Sequence, residues 1–401
     1  MFLYQQNQHY FAQIAEGLED SGTDELRRLG AREIRPAYRG LHFEAEKAAL
    51  YRINYQSRLV TRVLAPLAAF PCHEPDYLYR KAKLIPWKEI MGVDQTLAVF
   101  ANLSNSKIRH SQYAGLCLKD AIVDHFREDC GRRPDVRRID PDVWVNLFIE
   151  NNQAVISLDT SGGSLHRRGY RREGVEAPVQ ETGAAAVICW TEWDGGRPLV
   201  DPMCGSGTLL AEALMHYCRV PAGSLRNRFG FERLPDFDRR LWASVKAAAD
   251  RGARPLPPGL ISGSDMDAEA VETARENLRR LPHGGNVALQ RADVRRLGDL
   301  SERPRPGRGP LLGLPRPGRH RGQRHRLQPA VRDPAQRPRR DGTVLPRDRG
   351  FSETGLPGDD RLCLLRQPRD AQAHRAQALL EAAAQDRRAG RAAGEIRNVL
   401  N

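Results

Sequence analysis

Residues 199–210 read Leu-Val-Asp-Pro-Met-Cys-Gly-Ser-Gly-Thr-Leu-Leu, and no other stretch restricts the fold of this chain as tightly. A short apolar run ends in Asp201, Gly205 and Gly207 stand in G-x-G spacing, and an apolar helical start follows at Thr208. That order predicts a strand, a tight turn and a helix. Glycines in such a turn let the backbone approach a ligand closely, and the amides at the helix start face an anionic group. The ligand class can be narrowed from what is missing. A phosphate-cradling loop needs Gly-Lys-Ser/Thr, and no Lys follows Gly207; a dinucleotide turn needs a third glycine at 210, where Leu stands. S-adenosyl-L-methionine suits the turn better, because it offers a carboxylate, a sulfonium and a ribose but no phosphate.

Two more acids follow in the same rhythm. Asp265 ends the predicted strand 260–264, where a carboxylate can accept both ribose hydroxyls. Asp293, after the strand 287–290, stands where a side chain can accept from an adenine amino group, and Asp267 is expected to cap the helix 268–278. Cys204 reads as a small buried residue, since no His is placed to activate it. With a helix at 181–190, a strand at 198–200, a helix at 208–217 and a Pro/Gly-edged insertion before 260, the segment 161–300 alternates like a doubly wound parallel sheet.

Residues 11–160 read as a mixed α/β module. A short strand from Phe11 precedes a helix closed by Gly30; residues 51–67 carry apolar side chains at helical spacing; 96–103 alternate like a strand. An amphipathic helix is expected over 111–126 and a hairpin around Asn151-Asn152. Nothing in this module resembles a catalytic arrangement.

The chain has 401 residues and a formal charge of +13, a value that suggests a nucleic-acid partner. Its distribution weakens that reading. Residues 301–401 hold 22 Arg, no Lys and 11 acids, leaving residues 1–300 close to neutral, and Phe351 is the one Phe, Tyr or Trp among those last 101 residues. Two local groups remain as candidate RNA contacts. Arg167, Arg168, Arg171 and Arg172 surround Tyr170 and read either as phosphate contacts with a stacking ring or as a solvated linker; Lys107 and Arg109 have the same two readings. No apolar run is long enough to span a membrane, and residues 1–10 are polar, so neither a membrane partner nor a secretory signal is expected. The seven cysteines are scattered without metal spacing, which predicts a cytoplasmic protein with no metal site.

Asp201-Pro-Met-Cys-Gly-Ser-Gly-Thr-Leu-Leu, with Leu165-His-Arg-Arg-Gly-Tyr-Arg and Ala177-Pro-Val-Gln-Glu-Thr before it, resembles the THUMP-domain RNA methyltransferases, and within them the bacterial 23S rRNA guanine-N2 methyltransferases. The resemblance implies an α/β chain in three parts: a ferredoxin-like plus THUMP RNA-binding module over 1–160, a Rossmann-like methyltransferase domain over 161–300, and an Arg/Pro/Gly-rich segment over 301–401 that is irregular or disordered. It implies S-adenosyl-L-methionine as cofactor and 23S rRNA as partner. Asp201, Pro202, Cys204, Gly205, Gly207 and Thr208 would line the methionine end, Asp265 the ribose and Asp293 the adenine edge, with Glu181 and Thr182 beside them. Gly183 departs from the family's usual Leu, at a helix cost of about 1 kcal/mol.

The family's catalytic Asn-Pro-Pro-Tyr turn is absent from the chain. Reading Gln328-Pro329-Ala330-Val331-Arg-Asp one base later in the genetic code permits Asn-Pro-Pro-Tyr-Gly-Ile, and the same shift over 367–377 permits Asn-Pro-Ala-Met-Leu-Lys-Arg-Ile-Gly-Leu-Lys. Two origins of residues 301–401 follow: an out-of-frame translation beginning near 295–327, which would leave the catalytic residues unknown and turnover impaired, or a genuine basic tail. The second origin suits a non-catalytic RNA-binding protein that grips RNA by counterion release.

Overall fold

The computed structural model describes residues 1–171 and 179–295, together with the backbone of 363 and 364. The N-terminal half begins with α1 (Leu3–Asn7), β1 (His9–Ile14), α2 (Glu19–Arg28), β2 (Arg32–Ala37), β3 (Gly40–Glu44), α3 (Lys47–Gln56) and β4 (Val60–Pro71). It continues with α4 (Pro75–Lys83), β5 (Leu97–Ser104), α5 (Ser111–Cys130), β6 (Val143–Glu150) and β7 (Gln153–Asp159). All seven strands form one sheet in the order β2-β3-β1-β4-β7-β6-β5. β4 is central: its Leu64 stands opposite Phe11 of β1 on one side and Asp159 of β7 on the other.

The helical spacing over 51–67 misled. The helix stops at Gln56 and residues 60–71 are strand, because Val60, Thr61 and Val63 are β-branched and Pro66 would remove a helical hydrogen bond. Pro66 leaves its mark in the sheet too, as the β4–β7 register slips between Pro66 and Ala68. The β6–β7 hairpin turns at Asn151 and Asn152, both with positive φ (51° and 58°), the conformation a two-residue hairpin requires. Leu26 of α2, Ile53 of α3 and Leu118 and Ile122 of α5 bury against Ile14, Val63, Leu147 and Ile156 of the sheet in one core.

The second half runs α6 (Glu181–Trp190), β8 (Leu199–Asp201), α7 (Thr208–Cys218), α8 (Arg239–Arg251), β9 (Ile261–Asp265), α9 (Ala268–Arg279) and β10 (Ala288–Arg291). The parallel order is β10-β9-β8, and the backbone of β11 (Cys363–Leu364) pairs on the far side of β8. Apart from that pair, the expected irregular segment 301–401 lies outside the described residues. A second core gathers Ile188, Leu210, Leu214, Ile261, Ala274 and Leu278.

The ends of the insertion between α7 and β9, at Val220 and Leu256, join this second core, but its middle packs elsewhere. Its Phe229, Phe231 and Trp242 surround Tyr51 and Tyr55 of α3, with ring centroids 4.6 Å apart for Tyr51–Phe231 and 5.2 Å for Tyr55–Trp242. Tyr4 and Tyr55 donate to Asp236 and Asp250 at 2.6 Å, and the Asp238 amide donates to Tyr51 Oη at 2.9 Å. The insertion thereby joins the N-terminal core.

Candidate cofactor site and basic surfaces

The site lies where β8 and β9 end. Strand pairing sets Asp201 against Gly263, and Asp265 follows two residues on. From there Asp265 Oδ2 accepts the Gly205 amide at 2.9 Å and Oδ1 accepts the Asp267 amide at 3.0 Å. The Ser264 carbonyl accepts the Cys204 amide at 2.9 Å, and buried Asn277 of α9 donates to the Ser206 carbonyl at 3.0 Å. The G-x-G turn is therefore held from below by β9 and from behind by α9; the sequence carried no signal for Asn277.

The two glycines have different duties. Gly207 (φ +79°) starts α7, and a Cβ there would come within 3.0 Å of Ala274 Cβ, so it serves helix packing. Gly205 (φ +50°) has nothing within 4 Å of such a Cβ, which leaves its backbone open to a ligand. Asp201 is buried, its Oδ1 accepts from the Met203 amide at 3.2 Å, and burial raises its carboxyl above the ordinary range. Burial pushes the Cys204 thiol up to about 12, which suits a packed side chain and not a nucleophile. Met203 and Met266, just past the ends of β8 and β9, are 70% and 63% exposed and form an apolar rim.

Glu181 and Thr182 are buried at the start of α6, and Arg171 bridges Glu181 to the turn. Arg171 donates from Nε to Glu181 at 3.1 Å and from Nη2 to Thr208 Oγ1 at 3.2 Å and to the Val179 carbonyl at 2.9 Å. Its Nη1 is buried without a partner among the described residues. Asp293 is further out, past β10, where it accepts from the amide and guanidinium of Arg295.

The arginine cluster divides, and part of it needs correcting as an RNA surface. Arg168 and Tyr170 are buried (1% and 0% exposed), so neither can touch a phosphate or stack on a base. Arg168 instead donates to Glu212 of α7 at 3.3 Å and to the carbonyls of Leu165 and Arg58, at 2.7 and 2.5 Å. Arg58 grips the same Glu212, through its carboxylate at 3.4 Å and its carbonyl at 3.0 Å. Buried charge demands such pairing, and the Glu212 partner lies 44 residues from Arg168, beyond local sequence reading. Arg171 faces the cofactor turn, Arg167 is exposed, and Arg172 lies outside the described residues. Lys107 and Arg109 are exposed just ahead of α5, whose first turn has no side-chain cap.

A parallel sheet whose strand-end acids converge on a G-x-G turn defines a Rossmann-like domain that binds a nucleoside cofactor. Family comparison is more specific. Residues 9–64 match the RlmL ferredoxin-like domain, 72–159 the THUMP domain and 168–304 the RMKL-like methyltransferase domain. The chain belongs to this family of THUMP-containing RNA methyltransferases. It is 38% identical over 318 residues to a Synechocystis protein, slr0064, provisionally named an RNA methyltransferase, covering 79% of this chain and 82% of that one. It is 41% identical over 293 residues to the ribosomal RNA large subunit methyltransferase K/L of Syntrophotalea carbinolica, covering 71% of this chain but only 41% of that protein. A crystal structure of SMU.472, a provisionally assigned methyltransferase complexed with SAH, superposes with a TM-score of 0.61 at 28% identity, covering 71% of this chain and 75% of that one. Among the described residues no helix is long and apolar enough to cross a membrane, and no group of three or more His, Cys, Asp or Glu is arranged to hold a metal.

Proposed function

We propose that the chain is built to bind S-adenosyl-L-methionine at the ends of β8–β10 and to present its methyl group to RNA held by the N-terminal module. The observation that carries this reading is the Asp265–Gly205 hydrogen bond, which brings a second strand-end carboxylate onto an open G-x-G backbone. The donor set fits the cofactor. Gly205 has the space, Asp201 and Asp265 supply acceptors, and no Lys or Arg stands in the turn to serve a phosphate. Asp265 would accept from the ribose, Asp293 from the adenine edge, and Asp201, Pro202, Cys204, Gly205, Gly207 and Thr208 would surround the methionine end with Glu181 and Thr182 behind. The cofactor, when bound, supplies an electrophilic methyl group on its sulfonium. The residues of this chain bind and orient it.

The finer reading is N2-methylation of a guanine in 23S rRNA, in the cytoplasm. It is supported by the K/L relatives and by the THUMP match ahead of the methyltransferase domain. The part of the chain that would hold the catalytic Asn-Pro-Pro-Tyr counterpart, Gln328 to Val331, lies outside the described residues. As written it is Gln-Pro-Ala-Val, so this polypeptide is proposed to bind cofactor and RNA with little turnover. Calorimetric titration with S-adenosylhomocysteine tests the first claim, and wild-type chain that takes up none refutes it. Methyl transfer from labelled cofactor to large-subunit rRNA tests the second. Robust transfer overturns the claim of impairment, and the gene's nucleotide sequence decides between a shifted frame and a basic tail.

A further inference from the structure

α7 starts in the cofactor turn, since Gly207 stands immediately before its first residue, Thr208. Any rotation or slide of this helix therefore moves the backbone of residues 205–208. Thr208, Glu212 and His216 are spaced four apart and so lie in a row on one face, and each receives a guanidinium. Arg171 Nη2 donates to Thr208 Oγ1 at 3.2 Å, Arg168 Nε to Glu212 Oε1 at 3.3 Å, and Arg58 Nη1 to His216 Nδ1 at 2.7 Å. Arg58 also reaches back along the helix, to the Glu212 carboxylate at 3.4 Å and the Glu212 carbonyl at 3.0 Å. Its own backbone is fixed in turn. Buried Glu25 of α2 accepts the Ser57 hydroxyl at 2.5 Å and the amides of Arg58 and Leu59 at 2.9 and 3.1 Å. Arg168 and Arg171 fall within the methyltransferase match, 168–304, whereas Arg58 falls within the ferredoxin-like match, 9–64.

We propose that Arg58 is a positioning residue for the cofactor turn, so that the ferredoxin-like unit takes part in cofactor binding without touching the ligand. The inference rests on the cofactor reading above and adds to it a residue from outside the methyltransferase domain. A buried ionic row is a poor source of stability, because desolvation offsets most of the attraction. What a hydrogen-bonded fork adds is register. Apolar side chains can slip along a helix, whereas a guanidinium shared between Glu212 and His216 fits one rotation and one height. Asp265 and Asn277 hold the turn at Gly205 and Ser206; the arginine row sets the helix into which the turn runs. In the reading above, this helix start serves the methionine end of the cofactor, while Asp265 and Asp293 serve its nucleoside.

The test compares the full wild-type chain with Arg58→Ala, in which Glu212 keeps Arg168 as its partner, and with Arg58→Lys. Each is titrated calorimetrically with S-adenosylhomocysteine and with 5′-methylthioadenosine, which keeps the nucleoside but lacks the amino-acid end. Arg58→Ala is expected to bind S-adenosylhomocysteine about 2- to 30-fold more weakly, with the larger losses at the methionine end and 5′-methylthioadenosine affinity unchanged. Arg58→Lys, which keeps the charge and loses the fork, should recover little. Hydrogen exchange on the ligand-free chains should be faster across 204–211 in Arg58→Ala and unchanged across 261–265. Equal S-adenosylhomocysteine affinity in wild type and Arg58→Ala would overturn the proposal, as would equal losses for the two ligands or unchanged exchange across 204–211. Wild-type chain that takes up no S-adenosylhomocysteine would instead refute the cofactor reading, and the exchange measurement would still decide whether Arg58 sets the turn.

Discussion

The carboxylate of Asp265 accepts the backbone N–H of Gly205 at 2.9 Å across sixty residues of chain. One end of the bond is the tip of the second strand of the parallel sheet, and the other is the turn after the first. Asp265→Ala removes a charge-assisted hydrogen bond and a ribose acceptor together. It is expected to weaken S-adenosylhomocysteine binding by about ten- to a hundredfold. Asp265→Asn, which keeps a carbonyl acceptor, should lose less. Calorimetry on the two variants gives the ranking, and equal affinities for wild type and Asp265→Ala would remove this residue from the site.

Glu212 is completely buried between Arg58 and Arg168. Glu212→Ala strands two guanidinium groups in the interior and should cost about 3–5 kcal/mol of stability. Glu272→Ala provides a scale, because its pairing with Arg275 is half exposed and contributes at most about 1 kcal/mol. Urea denaturation midpoints should separate the two variants clearly.

His216 and His166 are both depressed to about 4, first by burial and then by the arginines around them, Arg58 beside His216 and Arg167 beside His166. His216 Nδ1 accepts from Arg58 at 2.7 Å, which leaves Nε2–H to donate to the Trp193 carbonyl at 3.0 Å. The fold therefore holds these rings neutral while the unfolded chain protonates them near 6.5. Their contribution to stability is complete above pH 6.5 and is lost as pH falls toward 4. The slope per histidine is at most about 1.4 kcal/mol per pH unit before solvent screening reduces it. Denaturation midpoints between pH 7 and 5 should fall less steeply in His216→Gln than in wild type.

Two glycines should respond in opposite directions to the same substitution. At Gly183, in α6, an added Cβ meets only Val179 Cγ1 at an ordinary 3.8 Å, so Gly183→Ala should raise stability by about 0.5–1 kcal/mol. At Gly207 the left-handed backbone and the 3.0 Å approach to Ala274 Cβ should make Gly207→Ala cost about 1–2 kcal/mol or more. Thermal melting of the two variants checks the signs.

The elements of the parallel sheet were legible because each is announced locally: an acid at the strand end, glycines in the turn, a cap such as Asp267, whose Oδ1 accepts the Glu269 amide at 3.0 Å. What sequence could not supply was pairing at long range. Arg168 and Tyr170 read as RNA contacts because Arg and Tyr close together resemble a binding face, whereas their burial depends on partners brought in by α7. Arg171 points to the cofactor turn through a partner equally distant from local reading, Thr208, 37 residues on. The insertion before β9 gave only turn residues at its edges, and its attachment to α3 rests on ring packing across nearly two hundred residues.

β4 has a consequence for how such a protein can be assembled from parts. The ferredoxin-like match ends at residue 64 and the THUMP match begins at residue 72, so the border between two recognisable sequence units falls inside one continuous strand, residues 60–71. The first half of that strand, residues 60–64, pairs with β1 and the second half, residues 64–71, pairs with β7, so the one strand joins the two units edge to edge. A fragment that begins where the THUMP match does, at residue 72, would therefore lack the whole stretch of β4 on which β7 is paired.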